Sequence, residues 1–506
     1  MILELLIVLI YAFCLLTLLL FAITQVVLFH KFLGARDQLI KDQLPQFSVK
    51  DDLPKVTIQL PVYNELNVIK PLLQHVAAID YPEELIEIQV LDDSTDGTTA
   101  IIKTMVAEFS TQGRTIHHFH RTHREGFKAG ALRAGLEHAQ GEFIAIFDAD
   151  FLPQNDWLLR SMPYFQDPKI GVVQTRWGHI NRNESILTQV QAFALDLHFS
   201  LEQMGRQAMG VFMNFNGTAG IWRKSCIKDA GNWSGTTLTE DLDLSYRAQL
   251  KGWKILYRPE ITTPAELPQT VQAARSQQFR WNKGGAQNFK QLWRPLWCKK
   301  QLGLKEKIFG TAHLFSSSLF FLVLLLIVLS LPMLWIKNSH PQWTWIFYLF
   351  QAFGLTTLLL VWAYTGAYKL INTHRKLSWL RALLDFLVFF TLAIGLSANN
   401  AIAVIQAHLG VITPFVRTPK INPMGTRQRE SSKTTLGYRP NAYFSSGGQF
   451  FPALLEFLLM IYAIFGLLLA TKIGPEGDYG LAPFHMLCVL GFGYLFIKSI
   501  FTRSKI

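Results

Sequence analysis

The sequence predicts two structural parts, an open and mostly parallel α/β domain and an α-helical transmembrane domain. Three observations support this prediction. Long apolar stretches occur near both ends of the chain, and residues 33–307 between them alternate short apolar runs with helix-like repeats. Only 17% of the 506 residues are charged, against roughly 25% in an average soluble protein. The 50% hydrophobic content excludes a disordered chain, and four cysteines in this length exclude a disulfide scaffold.

Six stretches are apolar and long enough to cross a bilayer as helices. They are residues 5–28, 311–334, 343–368, 382–411, 450–470 and 481–500. The first stretch lacks the basic start and the short apolar core of a cleaved signal peptide. We therefore interpret it as an uncleaved anchor.

Basic residues indicate how these stretches are oriented, because loops rich in lysine and arginine stay on the cytoplasmic side. Such loops follow the first, third, fourth and sixth stretches. The basic loops that follow the third and the fourth stretch lie on the same side of the membrane only if residues 382–411, the fourth stretch, enter and leave on the cytoplasmic face. Asn399 and Asn400 near the middle of this stretch favour the same interpretation, since polar groups are costly at membrane depth. We predict five spans and one re-entrant or interfacial segment; six plain spans is the alternative.

The predicted organisation has six parts. An N-terminal transmembrane anchor (1–32) precedes a cytosolic α/β domain (33–282) and amphipathic interfacial helices (283–310), where tryptophans and lysines alternate. For residues 283–310, a solvated helix packed on the α/β domain is the alternative. Then come two transmembrane helices with the re-entrant or interfacial segment (311–411), a cytosolic loop (412–449) and two transmembrane helices (450–506).

Within the α/β domain, three apolar runs predict buried strands at 55–60, 86–91 and 143–147. Helix-like repeats lie between and beside them, at 66–78, 98–109 and 130–139. Each strand ends in a polar cluster. Because ligands of open α/β sheets bind beyond the carboxyl ends of the strands, we expect these clusters to form a site.

Paired carboxylates are the main chemical signal in those clusters. Asp92 and Asp93 follow the second predicted strand, where they could hold a nucleotide base or ribose, or simply form a turn. Asp148 and Asp150 follow the third, on one side of the chain. Two convergent carboxylates repel each other unless a cation lies nearby, and their oxygens suit Mg²⁺ or Mn²⁺. The alternative is that one aspartate caps the next helix.

Three further segments carry candidate groups. Residues 123–130 place Lys128 and two glycines just before a predicted helix, where a diphosphate could bind; an ordinary basic loop is the alternative. Thr239 is a candidate N-cap for a helix at 242–250, and the geometry would direct Asp241 out of the helix end, where a general base is needed. At 277–281, a glutamine, an arginine and a tryptophan share one helix face, suited to a sugar and its phosphates; an amphipathic helix with the tryptophan in the core is the alternative.

In order, these residues resemble family-2 glycosyltransferases, specifically the membrane-bound processive β-glycan synthases that include cellulose, mannan or glucomannan, and hyaluronan synthases. The family pattern D-D, D-x-D, T/E-E-D and Q-x-x-R-W matches Asp92-Asp93, Asp148-Ala149-Asp150, Thr239-Glu240-Asp241 and Gln277-Gln278-Phe279-Arg280-Trp281. Residues 415–420 resemble the gating loop F-x-V-T-x-K of cellulose synthases, except that Arg417 replaces its valine. The resemblance implies a GT-A-type nucleotide-sugar-binding fold and a channel formed by the spans.

The resemblance also implies roles for individual residues. The catalytic pair is Asp241, as the base, and Glu240. The donor would be bound by Glu65, Asp92, Asp93, Lys128, Asp148, Gln277 and Arg280, with Mg²⁺ or Mn²⁺ held by Asp148 and Asp150. The acceptor would be bound by Phe215, Asn216, Gly217, Thr218 and Trp281. The gating loop would act through Phe415, Thr418 and Lys420.

The predicted function is inverting, metal-dependent transfer of a hexose from a UDP- or GDP-sugar to a growing β-linked polysaccharide, with translocation of the product. The alternatives are single addition to a membrane lipid, of the ceramide or diacylglycerol type, and a non-catalytic transporter or scaffold. Expected partners are the donor, a polysaccharide or lipid acceptor, membrane lipid and accessory envelope subunits. The net charge of +12 lies mainly in loops beside the spans, so we expect no nucleic acid partner. The compact chain predicts a multi-pass protein of a bacterial plasma membrane, with a cytoplasmic catalytic domain, although plant Golgi mannan synthases are of similar build.

Overall fold

A computed structural model of the chain describes residues 1–41, 53–372, 378–413, 418, 420, 450–472 and 479–501. Its central feature is a seven-stranded sheet in the order β3-β2-β1-β4-β6-β5-β7. The strands are β1 (Val56–Val62), β2 (Ile86–Asp92), β3 (Ile116–His120), β4 (Phe143–Ile146), β5 (Ile170–His179), β6 (Gly220–Arg223) and β7 (Lys254–Ala265). β6 runs antiparallel to its neighbours β4 and β5, and the other pairs are parallel. The predicted mixed, mostly parallel sheet is therefore present.

Helices cover both faces of this sheet, which explains why all seven residues of β2 are buried. In the α/β domain they are α2 (Ile69–Ala77), α3 (Thr98–Thr111), α4 (Phe127–His138), α5 (Trp157–Ser161), α6 (Ile186–Leu197), α7 (Gln203–Met209), α8 (Lys224–Asp229) and α9 (Glu240–Leu250). The predicted helices at 66–78, 98–109 and 130–139 correspond to α2, α3 and α4. α4 begins earlier than expected, because Gly126 adopts a left-handed φ of 67° and starts the helix at once. Lys128 therefore lies in the first turn of α4, not in a loop before it.

Among the residues that the structure describes, six helical segments are long and apolar enough to cross a membrane. α1 (Ile2–Lys41) contains the first. The second is made of α11 (Leu304–Phe315) and α12 (Leu319–Ser339), and the third of α13 (Thr344–Ala352) and α14 (Gly354–Ile371). α15 (Trp379–His408), α16 (Phe450–Lys472) and α17 (Ala482–Phe501) contain the others. All six correspond to stretches expected from the sequence.

One helix, α10 (Val271–Cys298), links the α/β domain to the membrane helices. It runs without a break through the boundary expected at 282/283, which is therefore not a structural boundary. Glycines explain the close packing there. A side chain at Gly284 would meet Thr239 at 2.4 Å, and one at Gly285 would meet Ser317 at 2.2 Å. α10 thus packs directly against both the start of α9 and the start of the membrane region.

α15 contacts both the α/β domain and α10. Near its start, Phe389 packs on Phe193 of α6, with ring centroids 5.2 Å apart. In its middle, the Asn399 side chain donates to the Arg275 carbonyl at 3.3 Å. Near its end, Gln406 accepts from the Lys283 ammonium at 3.2 Å. α15 therefore lies against α6 at one end and against α10 at the other.

Candidate active site

The carboxyl ends of the central strands border a cleft with about 1340 Å³ of empty space. Its walls come from the loops after β1, β2, β4, β5 and β7, from the starts of α4 and α9, and from one face of α10. Most of the predicted site residues line this cleft. They are Glu65, Asp93, Lys128, Asp148, Asp150, Asn216, Gly217, Glu240, Asp241, Gln277, Arg280, Trp281, Thr418 and Lys420.

Of the remaining four predicted residues, three do not line the cleft and one is not described. Phe415 lies outside the described residues. Asp92, Phe215 and Thr218 are fully buried and lie behind the cleft wall. Phe215 packs edge-on against Trp222, so its ring belongs to the core. The Thr218 hydroxyl accepts the backbone N–H of Asp148 at 2.8 Å, so Thr218 positions a cleft residue instead of facing the cleft.

Asp241 stands at the first turn of α9, facing the cleft. Its Oδ1 accepts the backbone N–H of Leu242 at 2.8 Å. A Cβ built on Gly217, which has a φ of 82°, would lie 3.0 Å from Oδ2. Only glycine leaves that approach free of strain. Burial, reinforced by the neighbouring Glu240 carboxylate, raises the pKa of Asp241 to about 7. A carboxyl with that pKa can accept a proton near neutral pH.

Thr239 occupies the N-cap position of α9, as expected, but its side chain does not cap the helix. Its hydroxyl oxygen instead accepts the Asn288 side-chain N–H at 2.8 Å, and the same amide donates to the Thr239 carbonyl at 3.0 Å. The segment before Asp241 is therefore attached to α10.

Lysines neutralise the carboxylates after β4. The Lys128 ammonium lies 2.6 Å from Asp148 Oδ1 and donates to the Gly217 carbonyl at 2.8 Å. Lys420 Nζ lies 2.6 Å from Asp150 Oδ2 and donates to the carbonyl of Glu266 at 2.7 Å. Loss of hydration on burial disfavours the charged form of Lys128, but the nearby carboxylates outweigh it and raise its pKa above the ordinary value. The floor of the cleft therefore combines two acids with two cations.

One face of α10 forms a wall of the cleft, where Gln277, Arg280 and Trp281 all line it. The Arg280 guanidinium donates to the Thr418 hydroxyl at 2.7 Å. Burial lowers the pKa of Arg280 to about 10, although Asp148 opposes this shift. Arg280 therefore remains a cation at neutral pH, beside an indole ring.

At the other end of the cleft, Asp93 holds two arginines in place. Arg121 donates two hydrogen bonds to its carboxylate, at 2.7 and 2.6 Å. The Arg124 side chain approaches the same carboxylate at 3.7 Å, and its guanidinium lies over the ring of Tyr63 at 3.4 Å. This end offers a flat cation and an acid, which suit a nucleoside.

Asp92 is enclosed by donors. The backbone N–H of Ser94 donates to Oδ1 at 2.9 Å, and the Thr99 hydroxyl donates to Oδ2 at 2.8 Å. Nitrogen atoms of His118 and His120 lie 3.0 and 3.1 Å from the same Oδ2. Burial opposes ionisation of Asp92, yet these hydrogen bonds hold its pKa well below the usual range. Asp92 is therefore an ionised carboxylate facing β3, away from the cleft.

Comparison with known proteins identifies this domain. The family model described as glycosyltransferase like family 2 matches residues 54–284. Residues 54–284 form a glycosyltransferase family 2 domain. The predicted GT-A-type α/β fold is confirmed with it.

Two plant proteins resemble the glycosyltransferase domain in sequence. The probable glucomannan 4-beta-mannosyltransferase 2 of Oryza sativa is 43% identical over 261 residues, which cover 51% of this chain and 45% of the relative. The glucomannan 4-beta-mannosyltransferase 1 of Cyamopsis tetragonoloba is 40% identical over 260 residues, covering 50% and 49%. The chain thus spans about half the length of the relatives it matches. These plant relatives give no support to the predicted bacterial plasma membrane.

Among solved structures, the mannosyltransferase PcManGT from Pyrobaculum calidifontis, in complex with GDP-Man and Mn²⁺, is similar over 78% of this chain and 100% of its own. The TM-score is 0.49 and the identity is 19%. The glycosyltransferase domain is part of an integral membrane protein, since six segments capable of crossing a bilayer accompany it.

Sequence reasoning missed several residues of the glycosyltransferase site. Trp177 and His179 end β5, and Glu266 directly follows β7; all three line the cleft. The rule that polar residues beyond the carboxyl ends of strands form the site would have pointed to Glu266 and to the end of β5. It could not be applied, because the irregular sequences of β5 and β7 did not predict strands.

Proposed function

We propose that the chain is a hexosyltransferase that extends a β-linked polysaccharide from a nucleotide-diphosphate sugar. The observation that supports this most strongly is the convergence in one cleft of Asp241, Lys128, Asp148, Arg280 and Trp281. These residues supply a base, a diphosphate-binding set of charges and an aromatic surface for a sugar. They come from four separate parts of the sequence, so chance proximity is a poor explanation.

The donor would lie across the cleft, with its nucleoside at the end formed by Tyr63, Asp93 and Arg124. Its diphosphate would then reach Lys128 and Arg280, whose charges are retained at neutral pH. This placement puts the anomeric carbon close to Asp241. Glu240, one residue earlier, has a pKa raised by burial, and it increases the proton affinity of Asp241.

A divalent cation fits the carboxylates after β4. Each lysine contact uses one of the two oxygens of Asp148 and of Asp150, so a second oxygen of each remains as a hard ligand for Mg²⁺ or Mn²⁺. When bound there, the cation supplies positive charge to the leaving diphosphate. Lys420 would have to leave Asp150 if the ion needed both of its oxygens.

In the reaction, an acceptor hydroxyl attacks the anomeric carbon from the face opposite the diphosphate. Asp241 takes the hydroxyl proton as the new carbon–oxygen bond forms. The bond from the anomeric carbon to the diphosphate oxygen breaks, and the nucleoside diphosphate leaves with the electron pair. Arg280 and Lys128 stabilise the charge that develops on it. An α-linked donor therefore yields a β-linked product, with Trp281 as the surface on which the acceptor sugar lies.

The names of the relatives suggest the sugar. Both sequence relatives are described as glucomannan 4-beta-mannosyltransferases, at 40% identity or more over this domain. We therefore propose GDP-mannose as the donor and a β-1,4-linked mannan as the product.

For the membrane region we propose five spans, with α15 as an interfacial helix. A crossing helix of 30 residues would be about 45 Å long and would carry one end away from the cytosolic domain. α15 instead contacts α6 in its first half and α10 near its end, through Phe389 and Gln406. This arrangement supports a helix lying beneath the catalytic domain, with a channel for the product between the spans.

The test uses the full chain in nanodiscs with radiolabelled GDP-mannose, and with UDP-glucose and UDP-N-acetylglucosamine as competing donors. We expect an ethanol-insoluble product from GDP-mannose that a β-1,4-mannanase digests. The Asp241→Asn variant should give none. A chloroform-extractable product with one sugar would refute polymer synthesis and establish transfer to a lipid. Absence of transfer from every nucleotide sugar would refute the enzymatic function.

A further inference from the structure

A group outside the cleft is arranged like a set of metal ligands. His118 and His120 are two residues apart on β3, so their side chains lie on the same face of the sheet. β3 pairs in parallel with β2, and Asp92 is the register partner of His120. The pairing therefore places one carboxylate beside two imidazoles. Their ligand atoms all lie within 4.8 Å of one another.

We propose that Asp92, His118 and His120 form a second divalent-metal site, selective for ions that accept imidazole ligands, such as Zn²⁺. Ligands held about 2.1 Å from one ion lie roughly 3.0–3.6 Å from each other. Asp92 Oδ2 is 3.0 Å from His118 Nε2 and 3.1 Å from His120 Nδ1, at the lower end of this range. The His120 side chain is 36% exposed, so it can rotate and admit an ion from solvent.

Surrounding groups favour a fixed ligand geometry. The Ser94 backbone N–H donates to Oδ1 of Asp92, and the Thr99 hydroxyl donates to Oδ2. These two hydrogen bonds fix the plane of the carboxylate. On binding, each imidazole would present a lone pair to the ion and carry its proton on the other ring nitrogen. Three protein ligands leave room for water, the pattern of an open zinc site.

The site differs in chemistry and in place from the carboxylates of the cleft. Asp148 and Asp150 offer oxygen ligands alone, which suit Mg²⁺ or Mn²⁺, whereas two imidazoles favour Zn²⁺ or Co²⁺. An ion on Asp92 would join β3, the edge strand of the sheet, to β2. Since Asp93 follows directly and holds Arg121, the ion would stabilise the nucleoside end of the cleft.

The test measures metal uptake by the metal-stripped full chain in detergent, with Zn²⁺ alone as the probe and elemental analysis after dialysis. The key variant is His118→Gln with His120→Asn, because each amide keeps an N–H donor near Asp92 but has no ligand nitrogen. His117→Gln is the matched control, since His117 lies on the opposite face of β3. Asp150→Asn distinguishes Zn²⁺ bound at the cleft carboxylates from Zn²⁺ bound at the proposed site.

We expect wild type, His117→Gln and Asp150→Asn each to bind one equivalent of Zn²⁺ that excess Mg²⁺ does not displace. The double variant should lose that equivalent. Zn²⁺ should also raise the melting temperature of wild type but not of the double variant. Co²⁺ should give wild type a visible spectrum of a nitrogen-ligated ion, a measurement that does not depend on how the variants fold. The proposal is overturned if the double variant takes up as much Zn²⁺ as wild type, or if wild type gives no such spectrum.

Discussion

Replacing Asp241 with asparagine separates its role as a base from its role in the fold. The substitution keeps the size of the side chain and one oxygen for the Leu242 N–H. It removes the group whose pKa is raised to about 7. Because an amide cannot accept the acceptor's proton, activity should fall while the site geometry stays intact.

The expected loss of rate follows from the usual contribution of a positioned base, about 10²–10⁴-fold. This corresponds to roughly 3–5 kcal/mol of activation free energy. In wild type the base works only when ionised. Below a pH of about 7 the rate should therefore fall about tenfold per pH unit, and above it the rate should level off. The residual rate of Asp241→Asn should show no such dependence.

The stability of the folded wild-type protein should fall with rising pH, whereas its reaction rate should rise. A carboxyl whose pKa is higher in the folded than in the unfolded chain binds more protons when folded, so its ionisation favours unfolding. The contribution of Asp241 to stability is fully present below its unfolded pKa, near 4, and is lost as pH rises towards about 7. The cost above pH 7 is on the order of 4 kcal/mol at most. Asp241→Asn should therefore raise the melting temperature at pH 8.

The assay combines initial rates of GDP-mannose turnover from pH 5.5 to 9 with thermal unfolding of the same preparations. Asp243→Asn is the control, because Asp243 is on the same helix but is paired with Arg247 at 2.6 Å. This control should lose stability and keep the pH midpoint. If Asp241→Asn retains the wild-type rate, or loses activity together with stability, the assignment of the base is wrong.

Three further substitutions have distinct expected outcomes. Lys128→Met leaves Asp148 without its cation, so the KM for the donor should rise at least tenfold in steady-state assays. Trp281→Ala should lower polymer yield about tenfold or more by removing about 1–3 kcal/mol of stacking and apolar contact. Trp281→Phe should retain most of the wild-type yield. Glu456→Met leaves Arg275 buried and unpaired, and breaking such a pair costs about 3–5 kcal/mol; the melting temperature should fall, and the added substitution Arg275→Met should restore part of it.

The strands and the acid clusters could be predicted because their signals are local. β1, β2 and β4 are short apolar runs, and the rule for ligands at carboxyl ends then placed Asp93, Asp148 and Asp150 on one edge. The helix face of Gln277, Arg280 and Trp281 followed from their spacing at i, i+3 and i+4. These inferences need only periodicity and the geometry of a parallel sheet.

Features that depend on contacts distant in sequence could not be predicted. The continuity of α10 depends on Gly284 and Gly285 meeting Thr239 and Ser317, which sequence alone does not place nearby. The position of Asp92 behind the wall depends on the register of β2 with β3, a histidine-rich strand with no apolar run. Register is a tertiary property, so the histidines carried no signal by themselves.

The buried pairing of Arg275 with Glu456 has a practical consequence. Arg275 belongs to α10, the helix that carries Trp281, and Glu456 lies 181 positions later in α16. A soluble fragment ending near position 300 would lack Glu456. The Arg275 guanidinium would then be unpaired on a surface newly exposed to solvent. Chimeras that exchange catalytic halves between such enzymes should therefore transplant α10 together with α15, α16 and α17.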